Sequence, residues 1–297
     1  MTLKHLLTSS FPKYCEKLAS GKDVCFRPMI VAEEKSLLLA IQSNNKTNII
    51  KTLLTIMTEC FDENDMYSYS ISDIEQCFLM LRSKSIGEFE NFTINCPTTN
   101  ERVSFSVNLN TDIKINKNTL DSKIKISKDL VLIFNQPTIK NLLTCPDYGT
   151  NTENIYEFVA ICLKQIHSKS KIIQCSDISD QEKIEFIQNL TPQQFKQVIE
   201  YFDSLNIIEI IGEYTTSDTV KRTVNINGLF TLIDFFFNHT TLEIYYIQNF
   251  QMNYYHHISL SEINTMIPWE KMIYIEQIKT HLKDETSNQN NTNELVF

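Results

Sequence analysis

Cysteine is the residue type in this chain with the widest choice of chemistry, because a thiolate can bind a metal or act as a nucleophile. The eight cysteines are scattered at positions 15, 25, 60, 77, 96, 145, 162 and 175, and no CxxC motif occurs. Cys96-Pro97 and Cys145-Pro146 resemble half of a zinc knuckle, but Thr99 and Tyr148 stand where the second cysteines would be needed. We therefore expect no metal site, and we expect reduced, buried thiols rather than a disulfide framework.

Histidine offers a second route to metal binding, through the adjacent pair His256 and His257. Neighbouring side chains on a helix or strand point in different directions, so this pair cannot easily chelate one ion. A cysteine and a histidine could still meet in the fold as a catalytic pair, because such partners need not be close in sequence. A cysteine- or metal-dependent enzyme of unknown substrate is therefore the alternative hypothesis. The main prediction is a protein with no catalytic residue and no cofactor.

Two groups of charged residues could also form sites. Glu33 and Glu34 could act as general acid and base. Two glutamates are, however, also electrostatically favoured in the first turn of a helix, without any catalytic role. A group of lysines near the middle of the chain could bind nucleic acid, although the net charge of −9 argues against it. We interpret these lysines as a solvated strand face and loop; they are Lys114, Lys117, Lys123, Lys125 and Lys128.

Composition narrows the function further. The chain has 297 residues, of which 42% are hydrophobic and 21% charged, which is typical of a globular protein. Five glycines are too few for glycine-rich phosphate loops. No apolar run approaches the roughly 18 residues of a membrane span, and no signal peptide is recognisable, so we expect the protein to act in a cytoplasm.

The elements that would position these residues are arranged around a β region at residues 88–134. Residues 103–109 alternate between apolar and polar, which places Val103, Phe105, Val107 and Leu109 on one face of a strand. Residues 92–96 alternate in the same way, and residues 97–102 would form the hairpin loop between them. Further apolar pairs up to residue 134 predict an antiparallel meander of four or five strands.

Helical patterns lie on both sides of this region. Before it, helices are predicted at residues 33–41, at 49–60 and from a capping box at Ser72 and Glu75, with a short helix at 11–19. After it, residues 155–166 share a helical face, and three further capping boxes begin at Ser179, Thr191 and Ser259. A hairpin is predicted for residues 207–214 and 220–226, and core helices for 225–238 and 242–253. A last helix starts at Pro268 and runs through residue 282.

These patterns predict an α+β fold with an N-terminal helical bundle, a central antiparallel β-meander and a larger C-terminal helical region. The predicted divisions are residues 1–86, 87–136 and 137–283. A polar, asparagine-rich tail at 284–297 is expected to be disordered.

Three blocks of sequence carry a resemblance to a known family. Residues 26–40 followed by 81–88, together with a block at 249–275, resemble the baseplate hub and hub-assembly proteins of T-even-type bacteriophages. An Arg-Pro step before a Glu-Glu-Lys helix and an Arg-Ser-Lys-Ser-x-Gly-Glu turn are its most specific features. The residues that carry the resemblance are Phe26, Arg27, Pro28, Glu33, Glu34, Lys35, Arg82, Ser85, Gly87, Glu88, Asn249, Phe250, His257, Pro268, Trp269, Glu270 and Tyr274.

The resemblance implies a structural or assembly protein of the baseplate hub of a contractile-tailed phage, without catalytic residues. Its partners would be other hub proteins or a second copy of itself, and no nucleic acid. It would act in the host cytoplasm during assembly, as a chaperone-like factor, or stay in the virion tail baseplate. Arg27, Arg82 and Glu88 would order the junctions between helices and sheet, or contact a hub partner. The chain departs from the fuller cysteine knuckle of some family members at residues 96–100, so no metal is carried over.

Overall fold

The computed structural model of the protein describes residues 11–63, 65–116, 122–145, 152–169, 171–205, 207–237 and 241–294. Within these ranges the helices are α1 Val31–Gln42, α2 Lys46–Phe61, α3 Ile71–Ser85, α4 Ile139–Thr144, α5 Thr152–Cys162, α6 Asp180–Gln188, α7 Pro192–Asp203, α8 Leu229–Phe237, α9 Leu242–His256, α10 Leu260–Thr265 and α11 Pro268–Glu294. The strands are β1 Tyr14–Lys17, β2 Asp23–Phe26, β3 Phe89–Asn95, β4 Arg102–Asn108, β5 Ile113–Asn116, β6 Lys123–Lys125, β7 Leu130–Phe134, β8 Leu163–Ser168, β9 Ile172–Gln174, β10 Ile207–Thr215 and β11 Lys221–Asn227. Many helices with small antiparallel sheets confirm the predicted α+β class.

The described chain begins with an antiparallel hairpin of β1 and β2 rather than the predicted helix at residues 11–19. Cys15 and Cys25 lie opposite each other across this hairpin and are joined by a disulfide bond. The expectation that every cysteine is a reduced thiol is therefore wrong for this pair, whereas the other six are free and buried. The hairpin is attached to the core by Phe26, whose ring stacks on that of Phe61 in α2 at 4.9 Å.

The three helices predicted before the β region are present as α1, α2 and α3. The start of α3 differs from the prediction. The hydroxyl of Ser70 accepts a hydrogen bond from the backbone N–H of Asp73 at 3.1 Å, so Ser70 is the N-cap. Ser72 and Glu75 do not form a capping box, because both lie inside the helix.

The β region does not form one meander, and this part of the prediction is wrong. Within this region β3 pairs with β4, with Phe92 opposite Phe105 and a turn at residues 96–101, and β6 pairs with β7, but the two pairs belong to different sheets. Strand β5 joins β10 and β11 in a second sheet, and β6 and β7 join β8 and β9 in a third. The five strands are therefore present at the predicted places, but β5 and β7 have partners, β10 and β8, from the C-terminal half of the chain.

The predicted hairpin near residue 210 is confirmed by the antiparallel pairing of β10 and β11. Gly212 of β10 lies directly against the Phe105 ring of β4, and any Cβ at this position would collide with that ring. The glycine therefore allows the β10–β11 hairpin to pack closely on β4.

In the C-terminal half, the helix predicted for residues 155–166 ends early. α5 ends at Cys162 and the chain continues directly as β8. Leu163 and Ile166 are therefore buried, but as residues of a strand and not of the helix. The capping boxes of Ser179, Thr191 and Ser259 are confirmed at the starts of α6, α7 and α10. The core helix expected at 225–238 is shorter, since α8 spans Leu229–Phe237, residue 225 belongs to β11 and Asn238 lies outside the described residues.

The last helix also differs from the prediction. The backbone of α11 is helical to Glu294, through most of the stretch that was expected to be a disordered tail. None of the helices in the described ranges is both long and apolar enough to cross a membrane.

The buried residues form two hydrophobic clusters that do not follow the chain order of the predicted divisions. The larger cluster combines α1–α3, β3 and β4 with β10 and α8–α11. The smaller one is formed by β7, β8 and α5–α7. The first and last thirds of the chain therefore share one core, with the smaller cluster inserted between them.

Candidate interaction surface

Arg27 and Glu33 form a buried ion pair immediately before α1. The Arg27 guanidinium donates to both carboxylate oxygens of Glu33, at 2.6 and 3.0 Å, and to the carbonyl oxygen of Pro28 at 2.8 Å. Glu33 also accepts the backbone N–H of Ile30 at 2.8 Å, which satisfies one of the free N–H groups at the helix start. Burial by itself would lower the pKa of Arg27. The hydrogen bond and the negative charge of Glu33 act in the opposite direction, and the net result is a raised pKa. The pair fixes the path of the chain from β2 into α1.

Arg82 of α3 connects helix, sheet and the C-terminal half of the protein. Its guanidinium pairs with Glu90 of β3 and lies 5.2 Å from the ring centre of Phe236 in α8. Nε and Nη1 of Arg82 are buried with no hydrogen-bond partner among the described residues. Burial lowers the pKa of Arg82, while Glu90 and Glu34 act in the opposite direction.

Glu34 of α1 and Lys271 of α11 belong to a second buried cluster, together with Tyr245 and Asn249 of α9. Burial raises the pKa of Glu34, and the nearby cations Lys271 and Arg82 partly counteract it. Burial likewise lowers the pKa of Lys271 to about 8, against the attraction of Glu34. The Lys271 ammonium lies 4.4 Å from the centre of the Tyr245 ring, and the Asn249 side chain bonds to the Tyr245 hydroxyl. This cluster fastens α9 and α11 to α1.

The remaining residues of the N-terminal motifs lie around the same junction. The Ser85 hydroxyl accepts the backbone N–H of Met29 at 2.9 Å, which joins the end of α3 to the segment before α1. Glu88 accepts a hydrogen bond from Lys84 at 2.7 Å near the surface, and Gly87 lies between α3 and β3. Of the three residues predicted to order the junctions or to contact a partner, Arg27 and Arg82 are buried, whereas Glu88 lies near the surface.

Three residues of the C-terminal block shape the ends of helices. His257 closes α9 in a left-handed conformation with φ of 57°. Pro268 is the first residue of α11, and Glu270 accepts the backbone N–H of Ile267 at 3.0 Å. These positions orient α9 and α11, which pack against each other.

The outer faces of these two helices leave an unusual number of large apolar side chains in solvent. Phe250 is 64% exposed, and its ring stacks on that of Tyr254 one turn later at 5.5 Å. Lys35 of α1 lies 5.2 Å from the Tyr246 ring at the inner edge. We call the set the α9–α11 surface; it consists of Ile244, Tyr246, Ile247, Phe250, Tyr254, Tyr255, Trp269, Met272, Ile273 and Tyr274.

The composition of the α9–α11 surface is that of a protein interface. Tyrosine, tryptophan, phenylalanine and methionine are enriched at the centres of interfaces, and apolar groups of this extent are uncommon on monomers. Three of the predicted site residues, Phe250, Trp269 and Tyr274, lie on it. Sequence reasoning treated α9 as a core helix, because a helix that is apolar on both faces is normally buried.

In the described residues, no three His, Cys, Asp or Glu side chains lie close enough together to hold a metal. The Cys96 thiol receives hydrogen bonds from the Thr99 side chain and backbone, which lower its pKa to about 6. The Cys96 residue is fully buried in the turn between β3 and β4, and its other neighbour is the Tyr214 hydroxyl at 3.7 Å. These bonds hold the turn without presenting the sulfur to a substrate.

The lysine cluster is divided between sheets. Lys114 of β5 lies opposite Glu209 of β10, whereas Lys123 and Lys125 belong to β6 in another sheet. Lys117 lies outside the described residues. The described lysines therefore do not share one strand face.

Comparison with family models places most of the chain in a known family. A family model described as "T4 bacteriophage base plate protein" matches residues 11–237, from the β1–β2 hairpin to the end of α8. The helices α9, α10 and α11 lie beyond the matched range. No curated protein and no solved structure matched the chain.

Proposed function

Because the chain belongs to the T4 bacteriophage base plate protein family, we propose that it helps to build the hub of a contractile-tail baseplate by binding other baseplate proteins. Membership of this family makes the chain a structural protein of a phage baseplate. The hub role is supported by the motifs at residues 26–40, 81–88 and 249–275, which resemble hub and hub-assembly proteins.

The observation that carries the proposal is the α9–α11 surface. It presents large, stiff aromatic side chains, which bury much apolar area at a small cost in conformational entropy. The Glu34–Lys271 cluster fastens both helices to the N-terminal half, so the surface is largely formed before a partner arrives. Preorganisation of this kind favours tight binding, because less ordering is needed on association.

The partner is proposed to be another baseplate protein rather than nucleic acid. The net charge of −9 opposes contact with a phosphate backbone, and the described lysines are divided between sheets. Charge also disfavours a second copy of this chain, because two strongly acidic molecules repel each other.

The proposal is tested by quantitative mass spectrometry on purified virions and on complexes captured through this protein from infected cells. A fixed copy number in the virion baseplate, together with hub proteins in the captured complexes, would support a hub component. Hub proteins in the complexes without the protein in virions would support an assembly factor. If neither sample contained the protein with hub proteins, the proposal would be wrong.

A further inference from the structure

A cleft lies where the two hydrophobic clusters meet, and none of the motif residues belongs to it. Its volume is about 580 Å³, and its walls come from α3, α5, α7, α8 and the segment before α4. The side chains that matter most are Glu75, Phe158, Phe202, Asp203 and Phe230. Most of the wall is therefore apolar and aromatic, with two carboxyl groups.

Glu75 is the buried ionisable side chain in this cleft, and the described part of the fold supplies no cation for it. The residue is 6% exposed, and the backbone N–H of Leu229, at the start of α8, donates to its carboxyl group. Burial raises the pKa of Glu75 to about 8, and no lysine or arginine of the described chain acts on it. Glu33 and Glu34, the other buried glutamates discussed above, both have cations beside them. Ionising a buried carboxyl group without a cation is costly, because the single hydrogen bond from Leu229 replaces only part of the water that the group gave up.

We propose that this cleft receives a lysine side chain of a partner protein, with Glu75 as the counter-ion of the ammonium group. The aromatic rings of Phe158, Phe202 and Phe230 would pack on the methylene stem, as apolar surfaces do for lysine side chains elsewhere. Asp203, exposed at the end of α7, adds negative charge at the rim. This inference rests on the proposed function for the source of the lysine, but the cleft chemistry stands on its own.

Two other occupants fit the cleft less well. A metal ion would need several ligands, and no group of three His, Cys, Asp or Glu side chains is found in the described ranges. An arginine would be matched best by a carboxylate with both oxygens free, whereas the Glu75 carboxyl group already accepts the N–H of Leu229. A single ammonium group on an apolar stem suits one buried carboxylate.

The first arm of the test uses n-butylamine, the analogue of a lysine side chain, and n-butanol as its neutral counterpart. Binding is measured by NMR titration of the intact protein. We expect the amine to bind at least tenfold more tightly than the alcohol, and Glu75→Gln to remove this preference. Equal affinities for amine and alcohol in the wild type, or an unchanged preference in Glu75→Gln, would overturn the proposal.

A second variant guards against misfolding of the first. Asp203 is exposed, so Asp203→Lys should fold normally, and its ammonium group should weaken amine binding at least fivefold by repulsion at the rim. Glu213→Gln, which removes an exposed carboxylate on β10, is the matched control and should bind the amine like the wild type. Unweakened amine binding in a folded Asp203→Lys protein would also count against the site.

The second arm identifies the source of the lysine. Complexes captured from infected cells are treated with a carbodiimide, which joins a carboxyl group to an amine in direct contact. A cross-link from Glu75 to a lysine of a baseplate protein would support the proposal. If baseplate proteins are captured but no such cross-link forms, the proposal that a partner lysine binds in the cleft would be wrong. If no baseplate proteins are captured, the result would contradict the proposed function instead.

Discussion

Glu34 in the first helix and Lys271 in the last are buried together, and each acts on the pKa of the other. Lys271 also lies over the Tyr245 ring, so one ammonium group links α1, α9 and α11. The contact joins the N-terminal motif to the C-terminal block. Trp269 and Tyr274 lie on the same helix within three residues of Lys271, so the contact connects the buried motif to the proposed docking surface.

The Arg27–Glu33 pair should be essential for stability. Arg27→Met leaves the Glu33 carboxylate buried without its cation, and we expect a loss of about 3–5 kcal/mol in the free energy of unfolding. Denaturant titration followed by circular dichroism measures it. Lys84→Met removes the cation of the surface pair with Glu88 and should change stability little. Equal losses of unfolding free energy in the two variants would show that the burial of the Arg27–Glu33 pair does not determine its contribution to stability.

Glu75 should make stability depend on pH. Its pKa of about 8 in the folded protein exceeds the ordinary value of 4.5, so the folded state retains a proton that the unfolded state releases between these pH values. The stabilising contribution is complete below pH 4.5 and falls until about pH 8. Relative to Glu75→Gln, the wild type should lose about 3–5 kcal/mol over this window. Parallel stability curves for the two proteins would contradict the prediction.

Gly212→Ala should destabilise the protein through the Phe105 ring. The added methyl group would collide with that ring, and overpacking of this kind costs about 1–3 kcal/mol. Phe105→Leu in the same chain should recover part of the loss, because the smaller side chain makes room. Ser106→Ala, on the exposed face of β4, is the control and should be nearly neutral. Thermal unfolding of Gly212→Ala, Phe105→Leu, the double variant and Ser106→Ala would measure the coupling.

The Cys15–Cys25 disulfide predicts a thiol count. Denatured but unreduced protein should titrate six thiols, and reduced protein eight. Closing a loop with a sequence separation of 10 stabilises the folded state by about 3 kcal/mol, so a Cys15→Ser, Cys25→Ser double variant should lose about this amount. Eight reactive thiols before reduction would show that the bridge does not form.

The α9–α11 surface should carry binding without carrying stability. Phe250→Ser combined with Tyr254→Ser is expected to reduce capture of baseplate proteins at least tenfold, while unfolding changes by less than about 1 kcal/mol. Phe89→Ser is a matched control, since Phe89 is 68% exposed but lies at the start of β3. Equal loss of capture in the control would remove the surface as the docking site.

Local features of this fold were predictable from sequence, because they depend on neighbouring residues. The capping boxes of Ser179, Thr191 and Ser259 lie where a serine or threonine is followed three residues later by glutamate or glutamine. The alternation of Val103, Phe105 and Val107 gave the buried face of β4.

Long-range pairing was not predictable in this way. Nothing in the pattern of Ile113 and Ile115 shows that β5 pairs with β10, because the partner lies almost a hundred residues away (about the size of a whole domain). Cys15 and Cys25 have no motif spacing, and only the hairpin brings them together. The burial of Arg82 and Glu34 was not predictable either, because burial is a property of the assembled core. The sequence predicted a junction or partner role for Arg82 and a place in the first turn of a helix for Glu34.

The division of the core into two clusters has a consequence for synthesis on the ribosome. All buried residues of the smaller cluster lie between Ile126 and Phe202, so that core can close before translation ends. The larger cluster also contains Ile275 and Ile278 of α11, which are made long after α1. The part of α1 that packs against α9, α10 and α11 therefore stays uncovered until these helices are made, and this is the stage at which a nascent-chain chaperone would act.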